Sequence, residues 1–209
     1  MPIVDQPILE IIICQLARHS FSHVTLAVNH QAELFKAYFG DGGRWSVQID
    51  YSLETESLST MGPLRLIRDL PEHFLVMNGD ILTDLAYDAF LARHIQEGGV
   101  FTIAAAARQQ KIDYGVLQIT PDQYLCGFEE KPTIPYLVSM GIYGVGRRVL
   151  DFIPAGQTFG FDQLVIDLID RRLPVRVEQH CGYWLDIGRP DDYEKAIEDW
   201  PKLCAAVAR

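Results

Sequence analysis

Hydrophobic and polar positions in the first half of the chain alternate between the period of a helix and that of a strand. Apolar residues recur at helical spacing in segments 8–16, 31–39, 60–70 and 85–96, and short apolar or alternating runs occupy 24–28, 47–53 and 74–77. We therefore predict four helices and three strands, with Asp5 capping the first helix and Thr60 the third. Such an alternation is typical of a mostly parallel, doubly wound sheet.

The second half of the chain has a different pattern. Four strand candidates occupy 100–106, 115–119, 124–130 and 139–145, followed by helices at 161–171 and 191–200 and short strands at 175–178 and 183–185. Pro121, Asp122 and Gln123 predict a hairpin turn between the second and third candidates. With no repeat or linker, residues 1–209 are predicted to form a single α/β domain with a small antiparallel hairpin region.

Composition and charge narrow the class of protein. The chain is 48% hydrophobic and 22% charged, which excludes a disordered chain. Its net charge of −10 disfavours nucleic acid as a partner. No unbroken apolar run is longer than about six residues, and a run of that length is too short to cross a membrane. Asp5 and Glu10 would interrupt a secretory leader, so a cytoplasmic location is expected. A homo-oligomer is one possibility that the sequence leaves open.

Two acidic residues each follow a short apolar run. Asp80 comes after the strand candidate at 74–77, and Asp186 ends the run at 183–185. Open α/β sheets bind ligands at the carboxyl ends of their strands, and Mg²⁺ prefers carboxylate oxygens together with phosphates. Each aspartate is also compatible with a simple turn. If the two converge, they predict a two-carboxylate metal site for phosphoryl chemistry.

Other candidate residues are less specific when taken singly. Glu130 and Lys131 close the predicted hairpin and could contact a sugar and a phosphate, or form a solvated charged turn. The segment 56–63, with Thr60 before a helix start, could bind an anion or merely cap the helix. The chain has neither a GxGxxG nor a GxxxxGK[ST] loop, and no Ser/His/Asp order suggests a triad.

Seven short motifs, in order, span nearly the whole chain. They are Pro-Ile-Leu-Glu (7–10), Glu-x-Leu-x-Thr-x-Gly (56–62), Asn-Gly-Asp (78–80), Tyr-Gly-Val (114–116), Glu-Lys-Pro (130–132), Gly-Ile-Tyr (141–143) and Trp-Leu-Asp-Ile-Gly (184–188). Their order resembles the sugar-1-phosphate nucleotidylyltransferases, above all the mannose-1-phosphate guanylyltransferase branch, then the glucose-1-phosphate thymidylyl and uridylyl branches. The resemblance implies a Rossmann-like, doubly wound mixed sheet. It also implies Mg²⁺-dependent formation of a nucleotide sugar and pyrophosphate from a nucleoside triphosphate and a sugar 1-phosphate.

The same resemblance assigns expected roles to single residues. Asp80 and Asp186 would hold the metal and, with Lys131, form the catalytic set. The expected substrate-binding residues are Glu56 and Gly62 beside the base, Tyr114, Gly115 and Glu130 (with Lys131) at the sugar phosphate, and Asn78, Ser139 and Gly141.

The chain departs from the family pattern in three places. Ser139 and Met140 stand where the family usually has Asn, and Arg189 stands where it has Thr. The first strand, the Gly-rich phosphate-binding loop and a Lys-Pro pair do not precede Pro2. The domain is therefore expected to be N-terminally truncated, with an unfilled slot in the sheet flanked by residues 24–28 and 74–77.

Two other classes of function are weighed against the transferase. A non-catalytic module that binds sugar nucleotides, or a regulatory paralogue, is favoured by the missing loop but opposed by the two aspartates. A metal-dependent glycosyltransferase would require an Asp-x-Asp pair, whereas Asp80 and Asp84 have the wrong spacing.

Overall fold

The computed structural model describes residues 2–29 and 31–207, which form helices layered against β-sheets. The helices are α1 (Ile8–Arg18), α2 (Ala32–Phe39), α3 (Tyr87–Gln96), α4 (Phe161–Asp170) and α5 (Pro190–Val207). The strands are β1 (Pro2–Ile3), β2 (Gln6–Pro7), β3 (His23–Val28), β4 (Gln48–Leu53), β5 (His73–Met77), β6 (Ile81–Thr83), β7 (Phe101–Lys111), β8 (Gly115–Ile119), β9 (Leu125–Glu130), β10 (Thr133–Gly146), β11 (Val175–His180) and β12 (Trp184–Asp186).

A mixed sheet forms the centre of the fold, with strand order β11-β7-β10-β5. β11 runs parallel to β7, while β10 is antiparallel to both of its neighbours. The α/β class and the mixed sheet are thus confirmed, but the expectation of mostly parallel pairing is wrong for this sheet. The reason is that the chain enters β10 directly from the β8–β9 hairpin, without the helical crossover that a parallel return needs.

A gap separates this sheet from a second, parallel pair of strands. Within the described residues, β3 pairs only with β4, and β5 pairs only with β10. A cavity of about 950 Å³ lies between β3 and β5, and every residue of both strands lines it. Because successive side chains point to opposite faces of a strand, such a cavity runs along the two strand edges. The predicted slot is confirmed.

The largest core cluster holds the short strands β6 and β12 in place. It joins α1 to α3, β10 and α5 through fully or nearly fully buried side chains, among them Ile12, Phe90, Ile142 and Leu185. Burial of side chains of this size contributes about 1.5–3 kcal/mol each. The core therefore holds β6, which follows Asp80, and β12, which ends at Asp186.

One predicted helix and two predicted helix caps differ from the structure. The helix predicted at 60–70 is only a short 3₁₀ turn, Gly62–Leu66, and Thr60 does not cap it. Instead, Thr60 Oγ1 accepts a hydrogen bond of 2.9 Å from the Phe161 backbone N–H. Nor does Asp5 cap the first helix, because β1 and β2 form a minimal hairpin and Pro7 precedes α1.

β8 and β9 pair antiparallel, with Gly115 opposite Glu130, so the hairpin is confirmed. No helix in the part of the chain that the structure describes combines the length and apolar character needed to cross a bilayer.

Candidate active site

Asp80 and Asp186 are brought together by the pairing of two very short strands. β12 lies antiparallel to β6, with Asp186 opposite Ile81, the residue that follows Asp80. The Ile187 backbone N–H donates a hydrogen bond of 2.9 Å to the Asp80 carbonyl. Two acidic residues that are more than a hundred positions apart in the sequence thus lie on adjacent backbone segments.

Gly188 shows how close the two carboxylates are. A β-carbon placed on Gly188 would lie 3.2 Å from Asp186 Oδ1 and 3.2 Å from Asp80 Oδ2, so these oxygens are at most twice that distance apart. The Gly188 N–H also donates to Asp186 Oδ1 at 3.1 Å. A glycine at this position leaves the space between the two carboxylates open.

The carboxylates of Asp80 and Asp186 lie close enough for their like charges to interact. Partial desolvation raises the pKa of Asp80, and the neighbouring charge of Asp186 raises it further. A divalent cation would offset this repulsion, and the oxygen donors suit Mg²⁺. Within 2–29 and 31–207, no group of three or more His, Cys, Asp or Glu residues is arranged to hold a metal. Mg²⁺ is commonly bound by one or two carboxylates, with phosphates and water in its remaining positions.

A small pocket of about 150 Å³ adjoins Asp186. It is lined by residues from β5, β6, β10 and β12 and the turns after them: Asn78, Ile81, Ser139, Met140, Gly141, Tyr143, Trp184 and Asp186. Three of the predicted substrate-binding residues, Asn78, Ser139 and Gly141, therefore surround one pocket beside one of the predicted metal ligands.

An irregularity in β10 forms one wall of this pocket. The register of β10 against β7 shifts between Ser139 and Tyr143, as in a β-bulge. Gly141 has φ +71°, and a β-carbon there would lie 2.8 Å from Asn78 Nδ2, so both the backbone and the space require glycine. Ser139 Oγ accepts a bond from the Gly141 N–H (3.2 Å) and donates to the Tyr143 hydroxyl (3.1 Å).

The hairpin residues form a separate cluster. Gly115 is opposite Glu130, and the Lys131 N–H donates to the Tyr114 carbonyl at 3.2 Å. Tyr114 is 79% exposed, and none of the four residues lines either cavity described above. The structure thus keeps Tyr114, Gly115, Glu130 and Lys131 together, but it does not join them to the carboxylate pair.

The two residues expected beside the base differ in their surroundings. Glu56 is exposed in the loop after β4. Gly62 is buried, its N–H donates to the Phe159 carbonyl at 3.0 Å, and a β-carbon there would lie 2.9 Å from Leu58 Cβ. Gly62 is therefore required by close packing in this structure. Neither residue lines the two cavities.

Sequence reasoning missed two residues near Asp186, namely Asp192 and Arg108. Asp192 Oδ2 accepts hydrogen bonds from the Asp186 N–H (3.0 Å) and from Arg108 Nη2 (2.6 Å). The Arg108 guanidinium lies 4.7 Å from the centre of the Trp184 ring. The sequence signal for Asp192 was the acidic pair directly after Pro190. Arg108 gave no such signal, because it lies on β7, far away in the sequence.

Comparison with known proteins points to one family. The family model "Nucleotidyl transferase" matches residues 1–202. A UTP–glucose-1-phosphate uridylyltransferase of Synechocystis is 31% identical over 94% of this chain and 56% of its own length. A mannose-1-phosphate guanylyltransferase catalytic subunit beta of Dictyostelium discoideum is also 31% identical, over 85% of this chain and 51% of its own length. The chain thus spans about half the length of the curated relatives it matches.

Solved structures show the same fold at lower identity. A putative glucose-1-phosphate thymidylyltransferase from Bacillus anthracis, solved with sucrose, superposes with a TM-score of 0.73 at 16% identity, covering 95% of this chain and 84% of its own. HddC from Yersinia pseudotuberculosis gives a TM-score of 0.72 at 21% identity, covering 96% and 88%. At these identities the likeness is one of fold.

Proposed function

The chain belongs to the nucleotidyl transferase family, and from this premise we propose that it carries the metal and sugar sites of a sugar-1-phosphate nucleotidylyltransferase. The reaction transfers a nucleoside monophosphate from a nucleoside triphosphate to a sugar 1-phosphate and releases pyrophosphate. The relatives include a uridylyltransferase named for glucose 1-phosphate and a guanylyltransferase named for mannose 1-phosphate, and both names support this choice of substrates.

One observation supports the proposal most strongly: Asp80 and Asp186 converge on the open space beside Gly188. We assign both carboxylates to a Mg²⁺ ion, which when bound neutralises charge on the phosphates. Phosphoryl transfer of this kind requires positioning and charge neutralisation, and it needs no nucleophilic side chain. A pair of carboxylates without a triad is consistent with that chemistry.

The pocket beside Asp186 is assigned to the sugar. Asn78, Ser139 and Gly141 line it, and an amide, a hydroxyl and backbone groups are the kinds of donor and acceptor that bind sugar hydroxyls. Its position beside Asp186 would hold the sugar phosphate next to the metal ligands. Lys131, on the hairpin, would add a point charge toward a phosphate if the hairpin approaches the bound substrate.

The triphosphate is assigned to the end of the slot between β3 and β5 that adjoins the carboxylates. The cavity lining includes Asp80, Ile187 and Gly188, so one part of the slot adjoins the carboxylates. A strand inserted there could pair with both exposed edges. The loop that follows such a strand would lie beside Asp80, where phosphates need backbone N–H donors and positive charge.

The test compares residues 1–209 with the same chain extended ahead of residue 1 by a strand and a Gly-rich loop. Pyrophosphate release is measured with Mg²⁺, using GTP, UTP or dTTP with mannose 1-phosphate or glucose 1-phosphate. We expect turnover only from the extended chain, and loss of turnover in its Asp80→Asn and Asp186→Asn variants. Robust turnover by residues 1–209 would show that the added loop is dispensable. An inactive extended chain would contradict the transferase proposal.

One second candidate is a module that binds sugar nucleotides without turnover, with the pocket beside Asp186 as its binding site. Nucleotide-sugar binding by both chains, with no pyrophosphate release from either, would support this module. A cytoplasmic location stays a prediction, and a homo-oligomer stays one possibility.

A further inference from the structure

Asp192 is a buried carboxylate that contacts the backbone of a proposed metal ligand. The residue is only 8% exposed, and its Oδ2 accepts hydrogen bonds from the Asp186 N–H at 3.0 Å and from Arg108 Nη2 at 2.6 Å. A buried carboxylate is stable only when it is paired and hydrogen-bonded, and both conditions are met here. One oxygen atom thus joins helix α5, strand β7 and the residue Asp186.

Helix capping alone does not explain this geometry. α5 begins at Pro190, so Asp192 is its third residue, from which an acidic side chain in a capping box bonds the N–H of the residue before the helix. That residue is Arg189, and its N–H donates instead to the Asp186 carbonyl at 3.0 Å. The Asp192 side chain reaches three residues further back, to Asp186 itself.

Arg108 and Trp184 connect the same carboxylate to the pocket wall. The Arg108 guanidinium stacks 4.7 Å from the centre of the Trp184 ring, a distance at which a cation and an aromatic face attract each other. Trp184 Nε1 in turn donates to the Met140 carbonyl at 3.1 Å. Both Trp184 and Met140 line the small pocket, so its wall and the Asp186 backbone share one network.

The charges of the network are balanced in a way that suits a cation site. Asp80, Asp186 and Asp192 would place three negative charges in a small region. The Arg108 guanidinium pairs with Asp192 and offsets one of these three charges. Some residues do not touch the metal but hydrogen-bond to one of its ligands and fix that ligand's orientation. Removal of such a residue typically lowers the metal affinity about 10–100-fold.

We propose that Asp192, held by Arg108, is a positioning residue that fixes the Asp186 backbone for divalent-cation binding. This inference rests on the proposed function, because it requires Asp80 and Asp186 to be the metal ligands. Asp192 acts through Asp186 and does not contact the cation.

The experiment measures the affinity of the protein for Mn²⁺ by water-proton relaxation, in the presence of a nucleotide sugar. Asp192→Ala should weaken Mn²⁺ binding by about 10–100-fold, as removal of a supporting partner does. Asp192→Asn keeps an oxygen acceptor for the Asp186 N–H but loses the ion pair, so its affinity should lie in between. The matched control is Asp191→Ala, which removes the same charge from an exposed position in the same helical turn and should leave the affinity unchanged.

Folding is checked by circular dichroism and thermal unfolding. If Asp192→Ala does not fold, Asp192→Asn and Arg108→Gln take its place, and each should weaken Mn²⁺ binding relative to Asp191→Ala. A general loss of structure would lower the unfolding midpoint without this order of affinities.

Two results would overturn the proposal, and they differ in what else they affect. If the folded Asp192 variants bind Mn²⁺ like Asp191→Ala while Asp186→Asn loses binding, the positioning role is wrong and the metal site stands. If Asp80→Asn and Asp186→Asn bind Mn²⁺ like the unmodified chain, or if the unmodified chain binds none, the metal site itself is wrong and the proposed function fails with it.

Discussion

Acid should destabilise this protein through one fully buried histidine. His94, on α3, is 0% exposed and contacts Thr102 Oγ1 through Nδ1 at 2.8 Å and His73 Nδ1 through Nε2 at 3.3 Å. Burial, followed by the adjacent His73, lowers the pKa of His94 to about 4. The perturbation that isolates this effect is His94→Gln, which removes the titrating ring and keeps a polar side chain.

The sign and size of the effect follow from proton linkage. In the unfolded chain the pKa of a histidine is about 6.5, so below that pH the unfolded state binds a proton that the folded state does not. The contribution of His94 to stability is therefore fully present above about pH 6.5 and is lost as the pH falls toward 4. At about 1.4 kcal/mol per pH unit, the total loss is about 3 kcal/mol, of which about 2.5 kcal/mol has occurred by pH 4.5.

The assay is urea unfolding followed by circular dichroism, for both proteins, at about pH 7.5 and about pH 4.5. Protonation of carboxylates is common to the two proteins and cancels in the comparison. The decrease in unfolding free energy between the two pH values should be smaller in His94→Gln by about 2.5 kcal/mol. Equal decreases in the two proteins would show that His94 is not the group that titrates.

Three further predictions concern the hairpin, the sheet and the slot. Lys131→Ala should weaken sugar 1-phosphate binding in titration calorimetry without changing the unfolding midpoint, whereas equal affinity would make Lys131 only a solvated charge. Gly146→Ala should destabilise the fold by several kcal/mol in urea unfolding, because its β-carbon would lie 2.1 Å from the Gly99 carbonyl oxygen. A stability within about 0.5 kcal/mol of the unmodified chain would contradict that contact. Extension ahead of residue 1 by an apolar strand of about six residues should raise the thermal midpoint, since each 1 kcal/mol gained shifts it by about 2–4 °C; an unchanged midpoint would mean that the slot is not filled.

The sequence predicted the parts of the site that depend on local pattern. An apolar strand followed by Asn78, Gly79 and Asp80 is visible in any short window, and so is the run that ends at Asp186. Their convergence depends on the pairing of β6 with β12, two strands of three residues each that are far apart in the sequence. Strands this short carry no periodic signal, so only the family resemblance could place the two aspartates together.

The wrong and the missed predictions also depend on contacts between residues that are far apart in the sequence. Residues 60–70 have helical spacing, yet Thr60 bonds the backbone at Phe161, a hundred residues away, and only a 3₁₀ turn forms. The partnership of Asp192 with Arg108 likewise spans 84 positions, so no local pattern contains it. Tertiary contacts decide such cases, because local propensity is a weak preference.

The claim that Asp80 and Asp186 share one divalent cation can be tested most directly by crystallography. Crystals of the protein grown with Mn²⁺ and a nucleotide sugar would locate the ion by its anomalous scattering. We expect one Mn²⁺ peak at about 2.1 Å from an oxygen of each carboxylate, the distance usual for Mg²⁺, with phosphate oxygens completing its shell. A nucleotide sugar bound with its Mn²⁺ elsewhere, or with the ion touching neither carboxylate, would show that Asp80 and Asp186 do not share a cation.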